Sequence, residues 1–201
     1  MIVQTLEELR ALYAQPGERA LLKQLPHLDP HARRFIELSP FLVLSTAGAD
    51  GRLDASPRGG APGFVKVAPE GRLLIPDSPG NNRLDSLQNL LVNPEVGLLF
   101  MIPGFDETLR VNGRACLSRS DADLALCRDE RRLPKVAIRV EVHEVFLHCA
   151  KAFMRSRLWE PGALTDRSLM PTIGEMIRDQ AGLEGPVETP DAMRRRYQAD
   201  L

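Results

Sequence analysis

The chain has 201 residues, 43% of them hydrophobic and 26% charged, which is typical of a globular protein and excludes a disordered or fibrous one. Its 26 basic and 27 acidic side chains give a net charge of -1, so we expect no nucleic-acid partner. No apolar run approaches the roughly 20 residues of a membrane span, and the N-terminus lacks a signal-peptide pattern. The cysteines, Cys116, Cys127 and Cys149, lack CxxC spacing, which favours free thiols in a cytoplasmic protein and neither a disulfide framework nor a metal site.

Helical patterns occupy the first forty residues. Leucines recur at helical spacing after Thr5, and Glu8, three residues further on, completes a capping-box pattern. A later helix is predicted to begin at Asp29-Pro30, an N-cap followed by proline at the first helical position. We therefore predict that residues 1–40 form an N-terminal helical extension.

Strand and turn patterns follow from Phe41 onward. Asp50-Gly51 is a strong hairpin signal, whereas Ser56 to Gly63 is rich in glycine and proline and is predicted to be a loop. Residues Arg83 to Leu91 are predicted to form a short helix. The six or seven expected strands are mostly joined by short turns, and parallel sheets need crossover helices. The sequence therefore predicts an α+β fold, mainly antiparallel β, with the sheet domain at residues 41–160.

The C-terminal part returns to helical patterns. Ala150 to Trp159 is predicted to be a helix, and the spacing places His148, Lys151 and Arg155 on one helical face with Trp159 one further step along it. The alternative interpretation is a basic amphipathic helix with Trp159 packed in the core. Residues 161–201 are expected to be a helical tail packed on the same domain. The Arg194-Arg195-Arg196 run is interpreted as a solvated helix face or tail.

Two irregular segments each carry an arginine. Arg58 lies among glycines and prolines, and Arg83 is predicted to open a helix directly after Gly80-Asn81-Asn82. The positive end of a helix, free backbone N–H groups and the planar guanidinium all favour a phosphate. The alternative interpretation is that both arginines are solvated and that the asparagines only cap the helix. The chain has neither a Walker loop nor a GxGxxG motif.

The order of these elements resembles a known family. The stretches are FLVLSTAGADGRLDASPRGGAPGFVKV, LLIPDSPGNNRLDSLQNLLVNPEVGLLF, LRVNGRACLS and HCAKAFMRSRLWEP. Together they resemble the FMN-binding split-barrel family related to pyridoxamine 5′-phosphate oxidase, and the resemblance covers roughly residues 35–162. The fold that it implies is a split β-barrel with flanking helices.

The resemblance also implies a site. It implies a homodimer with FMN at the subunit interface, where Arg58 and Lys66 line the phosphate and ribityl chain. Asn82, Arg83 and Ser86 would replace a Ser-Arg-Lys phosphate cluster, whose lysine is missing because Leu84 follows Arg83. The remaining implied contacts are Pro76, Asp77 and Ser78 at the isoalloxazine edge, Arg110 and Asn112 towards the flavin or the partner, and Lys151, Arg155 and Trp159 over the opposite subunit's flavin.

The function implied by the resemblance is an FMN-dependent oxidoreductase acting on an unidentified small molecule, with no identifiable catalytic residue. Arg157-Leu158 is followed by Trp159-Glu160-Pro161, which departs from the Arg-Leu-x-Pro signature of pyridoxamine phosphate oxidases. The substrate therefore stays open. The alternatives are a non-catalytic flavin-binding or redox-sensing module, and a barrel that holds a deazaflavin or haem.

Overall fold

The structure is a computed structural model that describes residues 2–129 and 132–198. The helices are α1 (Leu6–Leu12), α2 (Glu18–Leu22), α3 (Pro30–Leu38), α4 (Asp85–Val92), α5 (Asp121–Leu126), α6 (Lys151–Ser156), α7 (Ile173–Ala181) and α8 (Pro190–Gln198). The strands are β1 (Phe41–Ala47), β2 (Leu53–Gly59), β3 (Lys66–Val67), β4 (Leu73–Pro76), β5 (Glu95–Met101), β6 (Thr108–Ser118) and β7 (Ala137–His148).

Side-chain caps define the starts of several helices, and two of them confirm the sequence prediction. Thr5 and Glu8 form the expected capping box at α1, and the Asp29 carboxylate accepts a hydrogen bond from the Ala32 amide at the start of α3. Each such cap satisfies backbone donors that a helix leaves free at its N-terminus.

The seven strands form one antiparallel sheet in the order β2-β1-β5-β6-β7-β4-β3. The sheet curls so strongly that β2, at one edge, meets the chain that leaves β4 near the other edge. Arg58 of β2 and Asp77 after β4 form an ion pair across this junction, with 3.4 Å between Nη1 and Oδ1. We call the junction the seam. The curled half-barrel confirms the predicted antiparallel fold.

The core fills the inner, concave face of the sheet. Alternate residues of β1, β5, β6 and β7 point inward, as the two-residue period of a strand requires. Helices α3 and α4 cover this face. The largest fully buried core side chains are Phe100, Ile36, Leu42, Leu44, Leu73, Ile75, Leu109, Ile138, Val111, Val140 and Val145.

Three element boundaries differ from the sequence prediction. Strand β2 continues through Gly59, so the first half of the predicted loop is strand. Pro57 is tolerated there because β2 is an edge strand and pairs only with β1. Helix α4 starts at Asp85 and not at Arg83, because Leu84 has a left-handed backbone with φ of 60°. Helix α6 ends at Ser156, because Arg157 is also left-handed, with φ of 54°.

A bulge shifts the register between β6 and β7. Gly113 pairs with Val142 while its neighbour Asn112 pairs with Glu144, which leaves one extra residue in β7. A Cβ at Gly113 would lie 2.0 Å from the backbone oxygen of Glu141. Only glycine fits so close an approach of the two strands.

The terminal segments differ from the barrel in their burial. None of the described residues in 2–27 and 146–198 is buried, although these segments contain α1, α2, α6, α7 and α8. Among the described residues, no helix combines the length and the apolar character that crossing a membrane requires.

Candidate functional site

A cavity of about 870 Å³ lies along the seam. This volume is within the range of roughly 300–1,000 Å³ that small-molecule and cofactor sites occupy. The wall residues come from β2, from the segment after β4, from the start of α4 and from the segment before β7. They are Asp54, Ser56, Pro57, Arg58, Gly59, Phe64, Pro76, Asp77, Ser78, Pro79, Gly80, Asn81, Asn82, Arg83, Leu84, Asp85, Ser86, Leu87, Arg132, Leu133, Pro134, Lys135 and Val136.

Strand β2 supplies one polar wall. Asp54, Ser56 and Arg58 are at alternate positions, so their side chains share the inner face of the strand. They are opposite Thr46, Leu44 and Leu42 of β1, which belong to the buried side of the sheet. All three are half-buried, whereas the outward residues between them are exposed. The alternating burial of these side chains was not predicted, because the sequence from Ser56 onward was predicted to be a loop.

Among the arginines of the cavity wall, Arg58 has the least exposed side chain. Its side chain is 18% exposed, and one terminal nitrogen lies 3.4 Å from the Asp77 carboxylate. Its Nε is buried and has no hydrogen-bond partner. A buried donor without a partner costs free energy. The guanidinium therefore retains unused hydrogen-bonding capacity beside the cavity, which an anionic acceptor would satisfy.

Arg83 lies at the solvent side of the cavity wall. Its side chain is 72% exposed and forms an ion pair with Asp85, with 2.8 Å between Nε and Oδ2. The hydrogen bond that Arg83 donates to Asp85 raises the pKa of Arg83, and the negative charges of Asp85 and Asp54 add to this effect. Asn82 and Leu84 on either side of Arg83 both have positive φ, 58° and 60°. With Leu84 left-handed, α4 begins only at Asp85, and Arg83 lies before the helix.

The start of α4 provides the third wall. Ser86 is buried, and its hydroxyl donates a hydrogen bond to Asp54 over 2.6 Å. Leu84 at the N-cap position supplies no side-chain acceptor for the first turn of the helix. The positive end of the helix dipole therefore faces the cavity without a side-chain cap.

The cavity walls carry four basic and three acidic side chains. Arg132 and Lys135 come from the segment before β7, more than 70 positions from Arg58, and no local sequence pattern marked them. Among the described wall residues there is no histidine, cysteine, tyrosine or methionine. The site is thus suited to binding an anion, and its described wall lacks histidine, the side chain whose unperturbed pKa is closest to neutral pH.

The structure brings seven of the thirteen predicted site residues together at this cavity. They are Arg58, Pro76, Asp77, Ser78, Asn82, Arg83 and Ser86. Lys66 does not line the cavity, and its Nζ donates to the backbone oxygen of Gly63 over 2.8 Å.

The other predicted residues lie elsewhere on the same chain. Arg110 stacks over the Phe146 ring at 4.9 Å, and Asn112 donates a hydrogen bond to Glu144 over 2.8 Å, both on the outer face of the sheet. Lys151 and Arg155 are on the exposed surface of α6. Trp159 lies beyond the end of α6, where its indole N–H donates to the Phe105 oxygen over 2.8 Å. Lys151 and Arg155 are four positions apart in α6 and so share a face as predicted, but the prediction that Trp159 continues this face is wrong.

A second polar cluster lies outside the cavity, beneath α5. The Asp123 carboxylate accepts a hydrogen bond from Ser118, which lowers the pKa of Asp123, and Arg139 lies 3.1 Å away. Helix α5 is capped by Ser120, whose hydroxyl accepts a hydrogen bond from the Asp123 amide. Burial raises the pKa of the nearby Cys127 thiol to about 11. No cluster of metal-ligating side chains occurs within residues 2–129 and 132–198.

The chain matches one protein-family model and is similar to several solved structures. A family model described as pyridoxamine 5′-phosphate oxidase matches residues 28–149. A variant of HupZ from Group A Streptococcus is similar in structure, with a TM-score of 0.50 and 13% identity over 60% of this chain and 98% of that chain. An FMN-binding protein from Syntrophomonas wolfei gives a TM-score of 0.45 at 11% identity, over 59% of this chain and 84% of that one. The haem storage protein HutZ from Vibrio cholerae gives 0.41 at 16% identity, over 60% and 94%. No curated protein sequence matches significantly.

Proposed function

Because the chain belongs to the pyridoxamine 5′-phosphate oxidase family, we propose that it is an FMN-binding flavoprotein that acts as an oxidoreductase on a small molecule. The observation that carries the proposal is the buried Nε of Arg58, a cationic donor without a partner beside a cavity of about 870 Å³. An FMN phosphate supplies the charged acceptor that this group lacks.

The residues of the cavity fit FMN in both size and charge. Arg58 and the uncapped start of α4 would hold the phosphate, with Arg83 at its solvent side. The hydroxyl of Ser86 is already fixed by Asp54, which leaves the second oxygen of that carboxylate to accept from ribityl hydroxyls. Phe64 and Leu133 would supply apolar contacts to the ring system.

Bound FMN supplies hydride and electron transfer, and the protein orients it and controls access to it. Arg58 and α4 would fix the phosphate end, and the adjoining segment from Pro76 to Ser78 would guide the bound molecule from there towards its ring end. Lys135 adds positive charge at the far wall, where it would stabilise negative charge on the ring or on a substrate. The three wall carboxylates are each engaged by a neighbouring side chain, namely Ser86, Arg58 or Arg83, so we assign no catalytic acid or base.

The second candidate function is a flavin carrier or redox sensor, which needs no catalytic acid or base. Haem is disfavoured because its iron requires an axial histidine, cysteine, methionine or tyrosine, and none lies among the described wall residues. A deazaflavin would present a similar ring and phosphate, so only identification of the bound molecule separates it from FMN.

The first test is an absorption spectrum of the freshly purified protein, followed by release of the chromophore and its identification by mass. Bands near ~375 and ~450 nm with released FMN are expected. A colourless protein that takes up no added FMN would refute the proposal, and a Soret band or a released deazaflavin would replace FMN with that cofactor. Mixing the loaded protein with NADH or NADPH then separates the two functions: bleaching and repeated turnover identify an oxidoreductase, and no reduction favours the carrier or sensor.

A further inference from the structure

The ion pair between Arg58 and Asp77 joins two parts of the sheet whose backbones are each held by strand contacts. Arg58 belongs to β2 and is opposite Leu42 in the register with β1. Asp77 follows β4, and its amide donates a hydrogen bond to the Val136 oxygen over 3.0 Å, which fixes the chain at Asp77 beside the start of β7. Both side chains therefore start from ordered backbone, and both line the cavity at the seam.

The contact neutralises the charge of Arg58 but does not use all of its hydrogen-bond donors. The two side chains are only 18% and 21% exposed. A charge at this depth is costly without a counter-charge, because little water remains to solvate it, and the Asp77 carboxylate supplies that counter-charge from within the chain. The carboxylate lies 3.4 Å from Nη1 of the guanidinium, whereas Nε has no hydrogen-bond partner. A phosphate can therefore bind at Nε while the carboxylate of Asp77 stays close by.

The charge of the wall is smaller than the charge of a phosphorylated ligand. With four basic and three acidic side chains, the described wall has a net charge of +1. A phosphate monoester carries about −1.5 to −2 at neutral pH. Two of the wall carboxylates have partners away from Arg58, since Asp54 accepts from Ser86 and Asp85 pairs with Arg83. Asp77 is the carboxylate paired with the arginine that we assign to the phosphate, so the surplus negative charge of the complex falls on this contact.

We propose that Asp77 is an internal counter-ion that limits the affinity of the site for phosphate and so keeps the bound cofactor exchangeable. The proposal rests on the proposed function, because it takes the ligand of Arg58 to be the FMN phosphate. In the free protein the carboxylate holds the guanidinium at the seam. In the complex the same carboxylate repels the phosphate at Nε, so the phosphate alone does not retain a ligand and contacts to the ring are needed as well. Small phosphates that lack a ring are therefore bound weakly.

The test compares the full wild-type chain with Asp77→Asn. Asparagine has nearly the same shape, and its side-chain oxygen can still accept from Arg58, so the substitution removes the charge and keeps the contact. The affinity for FMN is expected to rise about fivefold, because a unit charge beside the phosphate has been removed in a partly solvated site. Asp50→Asn is the matched control, because Asp50 also pairs with an arginine, Arg52, but does not line the cavity. Its affinity for FMN should equal that of the wild type.

Riboflavin separates an effect of charge from a change in the shape of the cavity. It has the ring and the ribityl chain of FMN but no phosphate, so Asp77→Asn is expected to leave its affinity unchanged. Fluorescence titration measures both flavins with each variant. An affinity for FMN that stays the same or falls in Asp77→Asn would overturn the proposal, and so would an equal gain for riboflavin, which a purely structural role of Asp77 would produce.

Inorganic phosphate distinguishes the failure of this proposal from the failure of the proposed function. Its binding is measured by the rise in melting temperature during a phosphate titration at constant ionic strength. A larger rise in Asp77→Asn than in the wild type is expected. That result would support the counter-ion even if neither protein bound FMN, in which case the proposed function alone would fail. An equal response of the two proteins to phosphate would contradict the counter-ion, whether or not FMN binds.

Discussion

Replacing Arg58 by methionine tests the ligand site most directly. Methionine keeps most of the apolar stem of the side chain but removes the guanidinium, whose Nε is buried without a partner. The change also breaks the ion pair with Asp77 and leaves that carboxylate, with 21% of its side chain exposed, unpaired at the cavity. Two effects on FMN affinity follow, the loss of an attraction and the gain of a repulsion.

The magnitudes of the two effects can be separated. A hydrogen bond to a charged group contributes about 1.5–3 kcal/mol, which corresponds to a roughly 10- to 150-fold loss in affinity. An unpaired Asp77 carboxylate beside a bound phosphate adds on the order of 1 kcal/mol of repulsion in a partly solvated site, or roughly a further fivefold loss. Arg58→Met should therefore bind FMN more weakly than the double variant Arg58→Met/Asp77→Asn, by about fivefold.

The assay is the quenching of FMN fluorescence as each protein variant is titrated into the free flavin. Arg52→Met is the control, because Arg52 precedes the same strand, pairs with Asp50 and does not line the cavity. Its affinity should equal that of the wild type. Unchanged FMN affinity in Arg58→Met would refute the assignment of Arg58, and a double variant weaker than Arg58→Met would refute the role given to Asp77.

Three further predictions concern the frame around the site. The pKa of Asp123 is lowered by a neighbouring hydroxyl, so its stabilising effect is present above about pH 4 and is lost as the pH falls through the lowered pKa. Asp123→Asn should lower the melting temperature at pH 7 by roughly 3–10 °C and flatten its dependence on pH below 4, as calorimetry would show. Cys127, whose burial raises its pKa to about 11, should not react with a thiol reagent at pH 8 unless the protein unfolds, whereas the other two cysteines, both exposed, should react. Gly113→Ala should destabilise the fold by more than about 3 kcal/mol in urea because its Cβ would meet the Glu141 oxygen, whereas Gly17→Ala, with open space around it, should have little effect.

Local patterns were sufficient to predict most of the barrel. The capping box at Thr5, the Asp29-Pro30 helix start and the Asp50-Gly51 hairpin each depend on neighbours within a few positions, and each occurs in the structure. The prediction was wrong where a long-range contact decides the local conformation. Ser56 to Gly59 looks like a loop because of its proline and glycine, but pairing with β1 holds it as an edge strand.

The site was predictable only in part, because long-range contacts bring some of its residues together. Residues of the motif from Pro76 to Ser86 line the cavity, and their contacts to FMN stay a prediction. Lys135 joins them only because β7 starts beside β4, a pairing between positions some 60 residues apart. The isolated left-handed residues Leu84 and Arg157 shorten two helices, and neither is a residue type that usually signals a break.

The position of the cavity at the seam also determines when the site comes into existence. Its walls span the chain from Asp54 to Val136, so a nascent chain has no complete site until the start of β7 has left the ribosome and joined β4. A ligand captured afterwards binds only the closed barrel. At a free concentration of a hundred times its dissociation constant, the ligand would stabilise the closed barrel by about 2.7 kcal/mol relative to the open one. Resistance of the seam to proteolysis therefore reports how much of the protein carries its ligand.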